Sequence, residues 1–142
     1  TFLLVHAAAT WAMVGLIWFV QVVHYPLFGL ASESRFERFS EQHQRRTSLV
    51  VVPLMLAELG LAVTLLVRPP QGVESSLPWL GAVLLGLIWV STAVLQIPLH
   101  RRLLGVQDQA AIRRLVAGNW VRTLAWTARG WVALALIAQA AK

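Results

Sequence analysis

Three histidines are the side chains best suited to chemistry in this sequence: His24, His43 and His100. Imidazole nitrogens bind Fe, Cu or Zn, serve as axial ligands of haem, and transfer protons near neutral pH. The three residues therefore predict either a metal or haem site or a group of catalytic acids and bases. A structural role at a membrane interface is the alternative. His6 lies far from the other three along its predicted helix, and no role is predicted for it.

Four other polar side chains are predicted to bind a substrate beside these histidines: Arg46, Gln96, Asn119 and Arg122. Gln96 and His100 are four residues apart, so they share one face of a helix. Guanidinium and amide groups donate hydrogen bonds in fixed directions, as the recognition of an anionic, quinone-like or phenolic head group requires.

Glu58 and Arg129 are charged residues inside apolar segments. A charge at the centre of a bilayer costs roughly 2.5 kcal/mol or more, so such residues usually have a partner or a function. Both residues are predicted at similar depth, which favours a structural ion pair between the two halves of the chain. The functional alternative is that Glu58 acts as a catalytic acid or base, a proton relay or a substrate anchor.

The elements that position these residues are predicted to be membrane helices. Of 142 residues, 58% are hydrophobic and 13% are charged, which is too apolar for a soluble core of this size. A helix needs about 20 apolar residues to cross a hydrocarbon core of about 30 Å. Four stretches are long enough: Phe2 to Val23, Ser48 to Val67, Leu77 to Pro98 and Asn119 to Ala141. The first lacks the basic start of a signal peptide and is interpreted as a span.

The positive charge is concentrated in the two segments that connect the first span to the second and the third to the fourth. The arginines in or beside these segments are Arg35, Arg38, Arg45, Arg46, Arg101, Arg102, Arg113, Arg114 and Arg122. Arginine in short loops marks the cytoplasmic face, so both termini are predicted outside the cytoplasm of a bacterial inner membrane. The net charge of +6 is therefore assigned to anionic membrane lipid and not to nucleic acid.

Two pairs of similar segments indicate an internal repeat. Residues 36–47 resemble residues 112–123 at an offset of 76 residues, and residues 23–27 resemble residues 95–99 at an offset of 72. Polar landmarks that recur at a fixed spacing are typical of a duplicated unit.

The predicted fold is all-α: an integral membrane four-helix bundle that forms one transmembrane domain over residues 1–142. It consists of two tandem helix hairpins, repeat one over 1–70 and repeat two over 71–142. Each repeat has two spans, so both have the same orientation, and a pseudo-twofold axis runs along the membrane normal in this 2+2 arrangement.

Two motifs in the second half resemble the anthrone oxygenase-like family of small four-helix membrane proteins. The segment from Pro98 to Leu103 is similar to that family's Pro-x-Asn-x-x-Leu, and the segment from Asn119 to Thr123 is similar to its Asn-x-x-Arg-Thr. The resemblance implies a membrane-embedded oxygenase of polycyclic phenols that needs no cofactor, with Asn119 and Arg122 near the site. His100 replaces the family's asparagine.

Two main functions remain open at this point. The leading hypothesis is a membrane oxidoreductase or oxygenase-like protein with a His/Asn/Arg pocket at the cytoplasmic end of the bundle, acting on a hydrophobic or phenolic small molecule. The alternative is a non-enzymatic subunit that binds haem, pigment or lipid, or that braces a larger membrane complex. A homo-oligomeric transporter is a third interpretation. The chain has no cysteine, which excludes thiolate ligands and disulfides.

Overall fold

The computed structural model describes residues 1–142 and is entirely helical outside its turns. Its α-helices are α1 (Phe2–Phe19), α2 (Phe36–Val67), α3 (Ser76–Ser91), α4 (Ile97–Arg102) and α5 (Gln109–Ala140). Two π-helical segments, Val20–His24 and Thr92–Gln96, follow α1 and α3, and two 3₁₀ segments, Pro26–Leu30 and Glu33–Arg35, lead into α2. The chain thus forms an all-α bundle of four long helical segments, as predicted.

Three of these segments are long and apolar enough to cross a membrane, which indicates a multi-pass membrane protein: Phe2–Leu30, Glu33–Val67 and Ser76–Arg102. Four spans were expected, and α5 is the helix that is not apolar enough by composition to count as one. Polar residues such as Asn119, Arg122 and Arg129 make α5 less apolar than the others. They are buried because α5 packs against both α1 and α3 at the centre of the bundle.

Three apolar clusters divide the interior along the bundle axis. The cluster at what we call the outer end contains Leu65, Val132 and Leu136, with Leu3 packed against it. The cluster at the opposite, inner end contains Val20, Tyr25, Phe28, Phe36, Leu103, Ala111, Ile112 and Leu115. A central cluster lies between them and includes Met13, Ile17, Met55, Ile88 and Trp126.

The connection between α2 and α3 lies at the outer end, where the Glu74 amide donates to the Gln139 side chain at 2.8 Å. Both chain termini are at this end too. The two arginine-rich connections are at the inner end, so the ends of the bundle differ strongly in charge.

The two π-helical segments have the same local cause. Proline has no amide hydrogen, and its ring clashes with the carbonyl four residues earlier, so the preceding turn widens. Before Pro26, the Tyr25 amide donates to the Val20 carbonyl, five residues back. Before Pro98, the Ile97 amide donates to the Thr92 carbonyl. The segments start 72 residues apart, the offset of one pair of similar sequence segments.

Helix α5 begins with a side-chain cap. The Asp108 carboxylate accepts hydrogen bonds from the Ala110 and Ala111 amides at 2.9 and 3.0 Å, and it contacts the Arg102 guanidinium at 2.7 Å. The Ala111 amide, helped by Arg102 and Ala110, holds the pKa of this carboxyl below its usual value. The cap fixes the point at which the inner connection enters α5.

Candidate functional site

A network of buried polar side chains joins all four helical segments at mid-bundle, and we call it the central network. The Arg129 guanidinium contacts the Glu58 carboxylate at 2.9 Å through both Nε and Nη2. The Thr10 hydroxyl lies 3.0 Å from each Glu58 oxygen. Arg129 also donates to the Gly81 carbonyl, and its Nη2 lies 3.2 Å from His6 Nε2. The salt bridge is therefore almost fully enclosed by protein partners.

The central network includes a residue to which the sequence analysis assigned no role. His6 is 1% exposed and contacts Arg129, because α1 passes directly beside α5 at this depth. Only the separation of His6 and Thr10 by one helical turn indicated that they share a face. Glu58 contacts none of the three predicted site histidines. No residue of that group therefore supports the catalytic role predicted for Glu58.

The three predicted site histidines converge at the inner end. His24 Nε2 lies 2.6 Å from His43 Nδ1, and the rings of His43 and His100 have centroids 5.4 Å apart. The Tyr25 hydroxyl lies 3.0 Å from His100 Nε2. The Thr47 hydroxyl contacts His43 Nδ1 at 3.2 Å. A single proton is shared at the His24–His43 contact, since two protonated nitrogens cannot face each other at this distance.

The structure gives no support for the predicted metal site at these histidines. No group of three or more His, Asp or Glu side chains in the chain has an arrangement that could hold a metal ion. Two of the nitrogens needed for ligation contact each other instead, at the His24–His43 pair. The arrangement fits proton transfer between imidazoles better than coordination of a shared ion.

The predicted amide and guanidinium residues are only partly brought together. Asn119 donates to Gln21 Oε1 at 2.9 Å and accepts from Arg122 Nη1 at 3.2 Å. Gln21 in turn donates to the Val116 carbonyl at 3.1 Å. Arg46 is exposed and lies outside this group, because it lines a separate groove between α1 and α2, beside His24. Asn119 therefore orients Arg122, while Arg46 has no contact with either residue.

An apolar cavity of about 280 Å³ lies between the helices next to His100, and we call it the inner cavity. Its lining residues are Leu16, Ile17, Val20, Tyr25, Thr47, Ser48, Val51, Val52, Met55, Trp89, Thr92, Gln96, Ile97, His100 and Arg122. It receives two predicted binding residues, Gln96 and Arg122, and one predicted catalytic residue, His100. His24 and His43 lie behind His100 and do not line it.

Four lining residues of the inner cavity carry a buried polar atom without a hydrogen-bond partner: Trp89 Nε1, Gln96 Nε2, His100 Nδ1 and Arg122 Nε. The first, second and fourth of these atoms can only donate. Buried polar groups are nearly always paired, and each unpaired one costs about 1–3 kcal/mol. Such a concentration in one cavity indicates a place for a hydrogen-bond acceptor.

Two lining residues were missed by the sequence analysis. Tyr25 and Trp89 resemble ordinary core aromatics in sequence, and Tyr25 is turned toward His100 by the widened turn before Pro26. A tyrosine directly before a proline that is predicted to end a helix was the only signal available for it.

Comparisons with known protein families, with curated proteins and with solved structures found no match for this chain. Its chemistry is therefore inferred from the residues of the inner cavity and of the histidine group beside it.

Proposed function

We propose that this chain is a multi-pass membrane protein of the oxidoreductase class, an oxygenase-like protein that acts on a phenolic or quinone-like molecule in the inner cavity. The observation that carries the proposal is that four residues lining one apolar cavity each have a buried polar atom without a hydrogen-bond partner. An apolar cavity with a few convergent polar groups is the usual form of a small-molecule site.

The membrane arrangement is part of the proposal. Helix α5 serves as the fourth span, since the other helices bury its Arg122 and Arg129. The inner end faces the cytoplasm of a bacterial inner membrane, because the arginines are there. The shared 72-residue offset of the two proline-widened turns supports two tandem hairpins related by an axis along the membrane normal.

The polar atoms of the cavity select the ligand's head group. Arg122 supplies positive charge, and Gln96 and Trp89 supply N–H donors, while no carboxylate lines the cavity. A phenolate oxygen or a quinone carbonyl matches this set, since both accept hydrogen bonds and both belong to flat apolar rings. Donors placed around a developing oxyanion stabilise it without reorganisation.

His100 and Tyr25 are the proposed acid–base groups. A ring methylene activated by a phenol loses a proton to such a base, and the carbanion then transfers electrons to O₂. Conversion of the methylene to a carbonyl consumes one O₂ and releases one water. The Tyr25–His100 contact at 3.0 Å would accept the proton and return it to the peroxide that forms when the carbanion adds O₂, so that the O–O bond breaks and water leaves. The His24–His43 pair nearby would exchange protons between this base and the exposed surface. The resemblance of residues 119–123 to the anthrone oxygenase-like family supports this reaction class.

The test is oxygen consumption by the purified protein in lipid nanodiscs with a tricyclic phenol that carries one ring methylene. Mass spectrometry would identify the ketone product, and empty nanodiscs would correct for spontaneous oxidation. We expect turnover in wild type, a loss of more than about 10-fold in Arg122→Leu, and wild-type turnover in Arg114→Leu, an exposed arginine of the same helix. Equal turnover in all three proteins and in empty nanodiscs would refute the proposal.

Elemental analysis of the same preparations separates this proposal from metal chemistry. Stoichiometric iron, copper or zinc in wild type that is lost in His43→Ala would establish the histidines as a metal or haem site instead.

One observation favours a second function, a non-enzymatic subunit of a larger complex. Tryptophans of α1 and α5 form edge-to-face pairs, Trp11 with Trp131 and Trp18 with Trp120, and all four are at least 36% exposed. Exposed aromatic surface often marks a protein–protein contact. Stable co-purification with other membrane chains, lost on replacing Trp18 and Trp120 by leucine, would support this function.

A further inference from the structure

The wall of the inner cavity is polar on its buried side and apolar at its rim. Tyr25, Gln96 and Arg122 are at most 6% exposed and form the buried polar side. Val52 and Ile97 are 48% and 43% exposed and belong to the rim. The cavity therefore has a polar, closed side and an apolar, open side between α2 and α4.

The surface around this rim is apolar on both helices. On α2, Leu49 and Leu56 are 70% and 54% exposed. Across the opening, Val90 and Val94 are 60% and 64% exposed. Both surfaces belong to helical segments that are long and apolar enough to span a membrane. Exposed apolar residues on such segments contact lipid, so the opening faces the hydrocarbon core and not water.

The aqueous side of the cavity is crossed by a hydrogen bond. The Gln44 amide, one turn nearer the inner end than Ser48, donates to the His100 carbonyl at 3.0 Å and ties α2 to α4. A depression of about 180 Å³ lies there, shares Ile97 and His100 with the inner cavity, and reaches Arg101. A ligand that entered from the aqueous side would pass this hydrogen bond.

We infer that the ligand enters the inner cavity laterally from the bilayer, between Val52 and Ile97, and that it is a tailed amphiphile whose apolar chain stays in this opening. This inference rests on the proposed function, in which the cavity binds an oxygen-bearing ring. A volume of about 280 Å³ is at the lower limit of ligand pockets, roughly 300 Å³, so it holds a ring head and leaves a long tail outside.

The test uses a decyl-substituted benzoquinone and the same quinone without the decyl chain, with the protein in nanodiscs. Quinones quench tryptophan fluorescence. The quenching that wild type shows and Trp89→Phe lacks reports on quinone binding in the inner cavity. Val52→Trp and Ile97→Trp narrow the opening. Leu56→Trp is the matched control, because Leu56 is exposed on α2 one turn from Val52 and does not line the cavity.

We expect the two rim variants to slow association of the decyl quinone by at least about 10-fold, with Leu56→Trp like wild type. We also expect wild type to bind the decyl quinone more tightly than the quinone without a tail. Equal association rates in the rim variants and in Leu56→Trp would overturn lateral entry. Slower association of the decyl quinone in Gln44→Trp, with both rim variants like wild type, would also overturn lateral entry and would place entry on the aqueous side. If wild type binds neither quinone, the proposed function fails and the inference fails with it.

A second measurement uses only the wild type, so its result does not depend on whether the rim variants fold. A decyl quinone with a diazirine at the end of its tail would be photolysed in nanodiscs and the labelled peptides identified. Labelling at Val52, or within residues 94–97, supports lateral entry. Labelling confined to Gln44 and Arg101 overturns it.

Discussion

The central network and the inner cavity both contain buried polar groups, but these groups have hydrogen-bond partners in the central network and several lack them around the inner cavity. In the central network, Glu58, Thr10 and Arg129 have protein partners, and only His6 Nδ1 lacks one. In the inner cavity, four polar atoms of four residues have no partner. Polar groups that satisfy one another join helices, whereas unpartnered polar atoms on residues that line a cavity favour binding of a ligand there.

The difference also concerns which residues surround each site. The central network lies between helices that are packed closely. At Gly81, an added Cβ would lie 3.3 Å from the Arg129 guanidinium, so the absence of a side chain lets α3 approach α5. The inner cavity lies beside two proline-widened turns: Gln96 is the last residue of one, and Tyr25 directly follows the other. The widened turns thus coincide with the cavity, whereas the central network coincides with a close approach of two helices.

The largest expected effect is on the central network. Glu58→Leu leaves the Arg129 charge buried without its partner, so we expect a loss of about 3–5 kcal/mol in the free energy of unfolding. The double variant Glu58→Leu with Arg129→Leu should recover most of this loss. Chemical unfolding in detergent, followed by circular dichroism, measures both. A loss below about 1 kcal/mol together with abolished turnover would assign Glu58 to chemistry and break the comparison.

The second effect is on binding at the inner cavity. Gln96→Leu removes an N–H donor that no protein group uses, so we expect quinone affinity to fall about 5- to 10-fold, the value of one hydrogen bond. Gln139→Leu, at the outer end, is the control. Isothermal or fluorescence titration in nanodiscs measures the affinities. Unchanged affinity would show that the ligand's oxygen does not approach Gln96.

The third prediction concerns stability at the cavity. Trp89→Phe keeps most of the ring's apolar contacts and removes an unpartnered indole nitrogen, so unfolding free energy should change by no more than about 0.5 kcal/mol. Thermal unfolding of the ligand-free protein provides the measurement. A large destabilisation would mean that this nitrogen has a hidden partner and that the cavity resembles the central network.

The smallest effect is expected at an exposed polar contact outside both regions. Asp108→Asn keeps the cap of α5 but removes the charge that faces Arg102. The folded-state pKa of Asp108 is lowered, so its contribution is present above the ordinary carboxyl pKa of 3.8 and is lost as pH falls through the folded value. Wild type should therefore be slightly more stable than the variant at pH 7, and the difference should vanish in acid. A constant difference from pH 7 to pH 2 would contradict this linkage.

Much of the fold could be predicted from residue types and their spacing. Long apolar runs predict helices that cross a membrane, and prolines predict where the first inner connection begins. Three of the four expected spans are apolar enough by composition alone; the polar residues of α5 become acceptable only when α1 and α3 surround them. The spacing of apolar residues in one helix does not show which other helices pack against it.

The candidate site was predictable only in part. The convergence of His24, His43 and His100 follows from helix direction, which the sequence determines through its turns and its charge asymmetry. The separation of Arg46 from Asn119 does not follow, because it depends on the rotation of each helix about its axis. That rotation is decided by packing between helices.

By itself, then, the sequence determined a helical, membrane-compatible chain with its arginines at one end and its polar residues at repeated positions, since these properties depend on local composition and spacing. The tertiary structure alone decided that Glu58, Arg129, Thr10 and His6 satisfy one another while Trp89, Gln96, His100 and Arg122 retain unpaired atoms. The partners that join different helices in the central network are separated by tens of residues in the chain, so only the packing of four helices determines which polar atoms meet and which remain without a partner.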